Sequence, residues 1–330
     1  MARELGQMKS TAKASRWVVS DMSVADREEI ASLFERVFHQ SMSTSLWDWK
    51  YAAGRGSAVV ARYNGKIVAH YGGIKRTLLN KGQEQESVQC VDTMVDPTER
   101  GSLSRHGPYF LVAQAFLDRY VGYGREYEFG FGFPNSRVMR LGEKVGIQAQ
   151  VDEIVEPVWD SNAVSPFSGA VLDLSVDADV LEVDSQWSKM SACFGESIIG
   201  FRDSSYLRYR YAMNPSYEYE LLLISSVDKS DNPGVLVLRQ EGARILMLDI
   251  VGECKYFPAL IQHARSMLKS RGCTELYTWV TESHFSLLDH EVKRVDRPDV
   301  RIPTSVCTNG PEPEELRGRW WLTAGDAEFK

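Results

Sequence analysis

Between Ile30 and Phe38 the apolar residues recur at helical spacing (Ile30, Leu33, Phe34, Val37 and Phe38), which predicts an amphipathic helix over 24–39. Ser23, with Asp26 three residues on, supplies its N-terminal cap. A short strand, Arg16–Ser20, precedes it. After Ser57 the period changes to that of strands. Ser57–Tyr63 and Lys66–Tyr71 flank Asn64-Gly65, a pair that provides the two positive-φ positions of a type I′ hairpin turn. Further strands are predicted at about 74–80 and 86–95, with Lys81-Gly82 turning between them. Pro108 then opens a helix marked by Phe110, Ala113, Phe116, Leu117, Tyr120 and Val121 and stopped at Gly122 or Gly124. A strand at Tyr127–Phe133, a helix from near Asn135 to near Gly146 and a strand at Val151–Trp159 complete this region. Antiparallel hairpins followed by strand–helix–strand–helix–strand describe a mixed α/β sheet flanked by helices.

Part of that order repeats. Residues 160–185 are polar and rich in Ser and Asp, as a linker would be. Beyond them come predicted strands at 217–225, 234–239 and 243–251, a helix over 257–271 stopped by Gly272, and a strand at 275–280. Trp47-Asp-Trp-Lys-Tyr51 aligns with Leu207-Arg-Tyr-Arg-Tyr211, each just ahead of the first hairpin of its half. The chain reads as a diverged duplication. The predicted division is a disordered leader at 1–14, a first domain at 15–160, a crossing segment at 161–185 and a second domain at 186–330. At 330 residues, two domains are also the expectation from length.

Composition narrows the function. Lys and Arg total 38 against 45 Asp and Glu, a net charge of −7, which disfavours nucleic acid as the main partner. The five cysteines are scattered without a CxxC pair, and the six histidines lie far apart. These patterns argue against a disulfide framework and a metal site, and suit a cytoplasmic protein. No run of about eighteen apolar residues predicts a membrane span.

Val95-Asp-Pro-Thr-Glu-Arg100-Gly101, closing a strand ahead of a helix, resembles the acyl-CoA motif of the GNAT superfamily of N-acetyltransferases, V-x-P-x-x-R-G-x-G-x-G/A. Asn135-Ser-Arg-Val-Met-Arg-Leu-Gly-Glu143-Lys144-Val-Gly146-Ile147 resembles the family's N-x-x-A-x-x-L-Y-E-K-x-G-F. Gly132-Phe-Pro-Asn135, Tyr206–Tyr211 and Trp321-Leu-Thr-Ala-Gly-Asp326 resemble segments of bacterial proteins with two GNAT folds in tandem. The resemblance implies two GNAT-like domains, each a mixed antiparallel/parallel sheet flanked by helices. It further implies acetyl-CoA, or another acyl-CoA, held by Val95, Arg100, Gly101, Arg105, Gly107 and Asn135. A helix N-terminus and an arginine are suited to a pyrophosphate.

The sequence departs from the pattern twice. Ser102-Leu-Ser-Arg-His-Gly107 stands where more glycines are expected, and Gly142 stands where the family has the tyrosine that protonates the leaving thiolate. Asp92, on the strand ahead of the cradle, and His70, on a hairpin strand, are the candidate bases for deprotonating an amine. Each has a structural alternative, a cross-strand hydrogen bond or a half-exposed strand position, and Asn135 doubles as an ordinary helix cap. The aromatic runs at 47–51 and 206–211 either line an acceptor cleft or pack the halves together. Val251-Gly-Glu-Cys-Lys-Tyr-Phe-Pro258 places a glutamate where an anion would bind, so the second half reads as non-catalytic. The expected reaction is direct acyl transfer to a primary amine, such as an amino sugar or small amine, without a covalent enzyme intermediate. The rivals are a decayed binding or scaffold protein and a transferase using aminoacyl-tRNA; homodimerisation is left open.

Overall fold

The computed structural model describes residues 16–100, 106–161, 164–227 and 231–330. The expected leader at 1–14 lies outside them. The first half runs β1 (Val18–Asp21), α1 (Arg27–Phe38), α2 (Thr44–Tyr51), β2 (Gly56–Tyr63), β3 (Lys66–Asn80), β4 (Gln83–Val95), α3 (Pro108–Tyr120), β5 (Phe129–Phe131), α4 (Ser136–Val145) and β6 (Gln148–Asp160). The chain continues through β7 (Phe167–Val171), α5 (Asp177–Cys193), β8 (Ile198–Gly200), α6 (Ser204–Leu207), β9 (Glu220–Ser226), β10 (Gly234–Glu241) and β11 (Arg244–Val251). It ends with α7 (Phe257–Ser266), β12 (Glu275–Tyr277), β13 (Val280–Thr281), β14 (Arg294–Asp296), β15 (Arg301–Ser305), α8 (Pro313–Leu316) and β16 (Trp320–Trp321).

The expected local signals operate. Ser23 and Asp26 form a capping box ahead of α1, whose Ile30, Leu33 and Phe34 are buried. Asn64 and Gly65 turn at φ 50° and 81°, and Lys81 and Gly82 at 51° and 70°, matching the twist of the strands they join. The strands expected at 66–71 and 74–80 are one continuous β3. Gly72 and Gly73 do not break it; they make room. A Cβ on Gly73 would stand 2.4 Å from Val88 Cγ2 and 2.6 Å from Phe116 Cζ, and one on Gly72 would stand 2.5 Å from Tyr51 Oη.

One sheet has the path β1-β2-β3-β4-β5, antiparallel except for the parallel β4–β5 pair. The other contains β7-β9-β10-β11-β12-β6-β13, where β11–β12 is the parallel pair. Each half thus has an antiparallel meander, a helix (α3 or α7) and a returning parallel strand, as the repeat predicted. The fold is mixed α/β with helices flanking both sheets.

Two expectations need correction. The boundary at 160 does not separate the sheets: β6 pairs with β12, β13, β14 and β15, while β8 and β16 extend the first sheet beside β3. The largest core accordingly joins Leu78, Phe129 and Phe131 to Trp320 and the strands of the second sheet. The expected crossing segment at 161–185 contains β7 and the start of α5. β7 is an edge strand with four of its five residues exposed, so it lacks the apolar alternation by which strands are recognised.

Candidate active site

β4 and β5 are in register only over Ser87–Gln89 and Phe129–Phe131. Beyond that point β4 runs on to Val95 with β3 on one side and, among the described residues, no strand on the other, while the chain after β5 turns away through Gly132 and Pro134 to α4. Between the diverging segments lies a cavity of about 700 Å³, lined on one side by Cys90–Thr93 and Val95 and on the other by Gly132–Asn135. That is ample for a small-molecule ligand. An unpaired strand edge presents backbone N–H and C=O groups to whatever enters.

The β4 wall is irregular. Tyr71 of β3 faces a register break between Val91 and Met94, a bulge in which Asp92 takes φ 48°. This turns the Asp92 carboxylate towards α2, where Lys50 Nζ donates to Oδ1 at 2.7 Å and Tyr51 Oη donates to Oδ2 at 2.6 Å. Burial opposes its ionisation, but the Lys50 ammonium and these hydrogen bonds prevail and hold Asp92 below the usual carboxylate range. His70 Nδ1 lies 2.8 Å from the Asp92 carbonyl oxygen, which can only accept, so Nδ1 carries the proton. His70 is fully buried and does not line the cavity; burial lowers its pKa.

Asn135 caps α4, its Oδ1 accepting from Val138 N at 3.0 Å, and also lines the cavity. Arg100 lines it as well and donates from Nε to the Val95 carbonyl at 3.0 Å. Gly107 caps α3 and Pro108 begins it. Gly101 and Arg105 lie outside the described residues. A Cβ on Gly142 would stand 2.3 Å from Gln148 Cδ, so the Gln148 side chain, itself on the cavity wall, covers that position.

Three groups in the wall escaped sequence reasoning. Arg137, Arg140 and Lys144 line the cavity from α4. Their spacing of three and four puts them on one helix face and, with Arg100, gives the cavity four cations. That spacing was readable; its direction was not. Glu328 and Phe329 also line the cavity, brought there from the far end of the sequence. Glu328 Oε2 accepts from Gln89 Nε2 at 2.8 Å, and Lys50 Nζ is 3.9 Å from Oε1. Burial raises the Glu328 pKa above its ordinary value, with the Lys50 ammonium opposing the shift.

The path to Glu328 runs through buried ion pairs. Asp326 is paired with Arg76 of β3 at 2.8 Å and with Arg202, which also reaches Asp249 of β11 at 3.3 Å. Arg76 Nη1 donates to Gln89 Oε1 at 3.3 Å, linking this cluster to Glu328. The halves also meet at the paired aromatic motifs. Trp49 stacks on Tyr209 at 5.1 Å; Trp49 Nε1 donates to the Tyr209 carbonyl and Tyr209 Oη to the Trp49 carbonyl.

Residues 19–133, which hold β4 and most of this wall, match the family model of the acetyltransferase (GNAT) domain. That match covers about a third of the chain, and it shows what residues 19–133 are similar to. No curated protein sequence matches the chain. Among solved structures, the chain is similar to a probable N-acyltransferase from Enterococcus faecalis, at 11% identity and TM-score 0.65, over 87% of this chain and 71% of that one. It is also similar to a GCN5-related N-acetyltransferase from Anabaena variabilis, at 12% identity and TM-score 0.61, over 87% and 72%. A third neighbour, Saccharomyces cerevisiae N-myristoyltransferase with bound myristoyl-CoA, has 10% identity and TM-score 0.55, over 92% and 88%. At these identities the likeness is one of fold. Among the described residues, no group of His, Cys, Asp and Glu could hold a metal ion, and no helix is long and apolar enough to cross a membrane.

Proposed function

We propose that the chain is an acyl-CoA-dependent N-acyltransferase of the tandem GNAT kind, with its acyl-CoA site in the first half and a second half that carries no acyl-CoA site of its own. The observation that carries this reading is the cavity between the diverging ends of β4 and β5, which Val95, Arg100 and Asn135 line together. The open β4 edge fits the pantetheine amides, and Arg100, Arg137, Arg140 and Lys144 supply cations for the phosphates of CoA. A bound thioester would supply the activated acyl carbon. The chain's own part is to hold it, exclude water and prepare a primary amine for direct attack. Asp92 and the buried His70, the bases expected from the sequence, brace the β4 bulge in the cavity wall.

A thermal-shift titration with acetyl-CoA, CoA and myristoyl-CoA tests the reading. Ligand at about 100 times its Kd stabilises the native state by about 2.7 kcal/mol, a shift of several degrees. Such a shift, reduced in Arg100→Ala, is the expected result. A well-folded protein that responds to none of the three overturns it.

A further inference from the structure

Two carboxylates flank Lys50 at the cavity, and their surroundings differ. Both Asp92 oxygens are taken, by Lys50 and Tyr51. Glu328 is held by one neighbouring side chain at hydrogen-bond distance: Oε2 accepts from Gln89, whereas Lys50 Nζ stands 3.9 Å from Oε1, and the carboxylate also accepts from its own backbone N–H. The Glu328 side chain is 11% exposed, and the space it faces is the cavity. The next residue, Phe329, packs edge-to-face against Phe133 at 6.4 Å and against Trp279 at 6.0 Å. Phe133, Phe329 and, from α1, Val37 and Phe38 give the cavity an aromatic and aliphatic surface.

We infer that Glu328 is the catalytic residue that receives the acceptor: its Oε1, which no neighbouring side chain holds at hydrogen-bond distance, takes the ammonium of a primary amine whose body is apolar and accepts the proton that frees the nitrogen lone pair. The inference rests on the acyltransferase reading and names the acceptor class and the base within it. An ammonium finds there a carboxylate oxygen not already neutralised at hydrogen-bond distance, beside ring surfaces that attract cations. A polyhydroxylated amine would strand its hydroxyls against Phe133 and Phe329, which offer no hydrogen bond. The charged groups facing Glu328 are Lys50 from α2, Asp92 from β4 and Arg210 from the helical turn after α6. Burial makes this carboxylate more basic than an exposed one, as a proton acceptor needs.

The step balances. The ammonium R–NH3⁺ gives one proton to Glu328 Oε1; its nitrogen forms a bond to the thioester carbonyl carbon and the carbon–sulfur bond breaks. A second proton leaves the nitrogen with the sulfur as CoA thiol, and the third stays on the amide. Glu328 returns its proton to solvent as product leaves.

The test compares the full-length protein with Glu328→Gln, which keeps an acceptor for Gln89. Thiol release is measured from acetyl-CoA with 2-phenylethylamine and with glucosamine, alongside the acetyl-CoA thermal shift. The expected result is at least tenfold higher kcat/KM for 2-phenylethylamine than for glucosamine. Glu328→Gln should lower it by about 100-fold or more at pH 7. The loss should narrow as pH rises, because the amine then deprotonates by itself, and the acetyl-CoA shift should be unchanged. A variant within threefold of the parent, or one whose loss does not depend on pH, overturns the role of Glu328. Glucosamine matching or exceeding 2-phenylethylamine overturns the acceptor class. Failure of the parent protein to acylate either amine despite a CoA-induced shift overturns the amine acceptor, and absence of that shift overturns the acyl-CoA reading beneath it.

Discussion

The two halves start from the same plan and use it differently. In each, a parallel strand pairs briefly with the end of the meander: β5 with β4 over three residues, and β12 with β11 over three. In each, a buried tyrosine of the repeated motif donates to an aspartate on the meander's last strand, Tyr51 to Asp92 and Tyr211 to Asp249. Beyond the parallel pair the first half opens into a cavity. In the second half the corresponding region is filled. Thr278 donates to the Met247 carbonyl, Thr323 bridges to Val280, and Thr323 Oγ1 donates to Asp249 at 2.7 Å. The segment 320–326 is the plug, and Arg202, reaching both Asp249 and Asp326, holds it. A splayed parallel pair is therefore an opportunity for a site; whether one results depends on what the rest of the chain puts into it.

Removing the plug's anchor should have the largest effect. Arg202→Ala leaves Asp249 and Asp326 buried without their shared cation, and should cost about 3–5 kcal/mol in urea unfolding. Asp92→Asn, which removes a charge from the open half while Lys50 remains buried, should destabilise by a comparable or smaller amount, and the pair of measurements compares the buried charge clusters of the two halves. Next, Trp49→Phe removes the bond to the Tyr209 carbonyl and part of the stack between the halves, and should cost about 1–3 kcal/mol. Arg100→Ala should weaken CoA binding about tenfold, as expected for loss of one charge-assisted contact, with stability unchanged. Lys255→Ala, in the loop after β11, should leave CoA binding unaltered; a loss there would place a second ligand in the filled half.

The smallest effect is on pH dependence. His70, His263 and His284 are depressed below the ordinary histidine value, by burial first. Their unfolded forms bind protons first as pH falls. The stability they contribute is therefore present above about pH 6.5 and is lost as pH drops towards their lowered native values. Each contributes up to about 1.4 kcal/mol per pH unit over that interval. His70→Gln should flatten the curve between pH 6.5 and 5, measured by chemical unfolding at each pH. An unchanged slope would mean that His70 is not buried neutral.

Much of the fold was legible because its signals are local. Asn64-Gly65 and Lys81-Gly82 set their turns through backbone conformation, the α1 periodicity is a property of adjacent turns, and Pro108 and Asn135 mark helix starts whatever surrounds them. Part of the candidate site was legible for the same reason: Val95, Arg100 and Asn135 lie in segments that end or begin an element, and all three reach the cavity. Edge strand β7 was not, because its exposed residues carry no alternation. Nor was the state of Asp92, since a carboxylate on a strand reads alike whether free or tied to Lys50 and Tyr51.

By itself, then, the sequence determined the order of elements and the recurrence of hairpin strands, helix and returning strand in the two halves, both of which follow from periodicity and turn chemistry. Only the tertiary structure decided that β6 crosses into the second sheet, that residues 320–326 fill one splay, and that Glu328 and Phe329 reach the other. These are pairings across tens to hundreds of residues. They are set by where buried arginines find carboxylates and where aromatic surfaces find cover, and no local pattern of residues encodes that choice of partner.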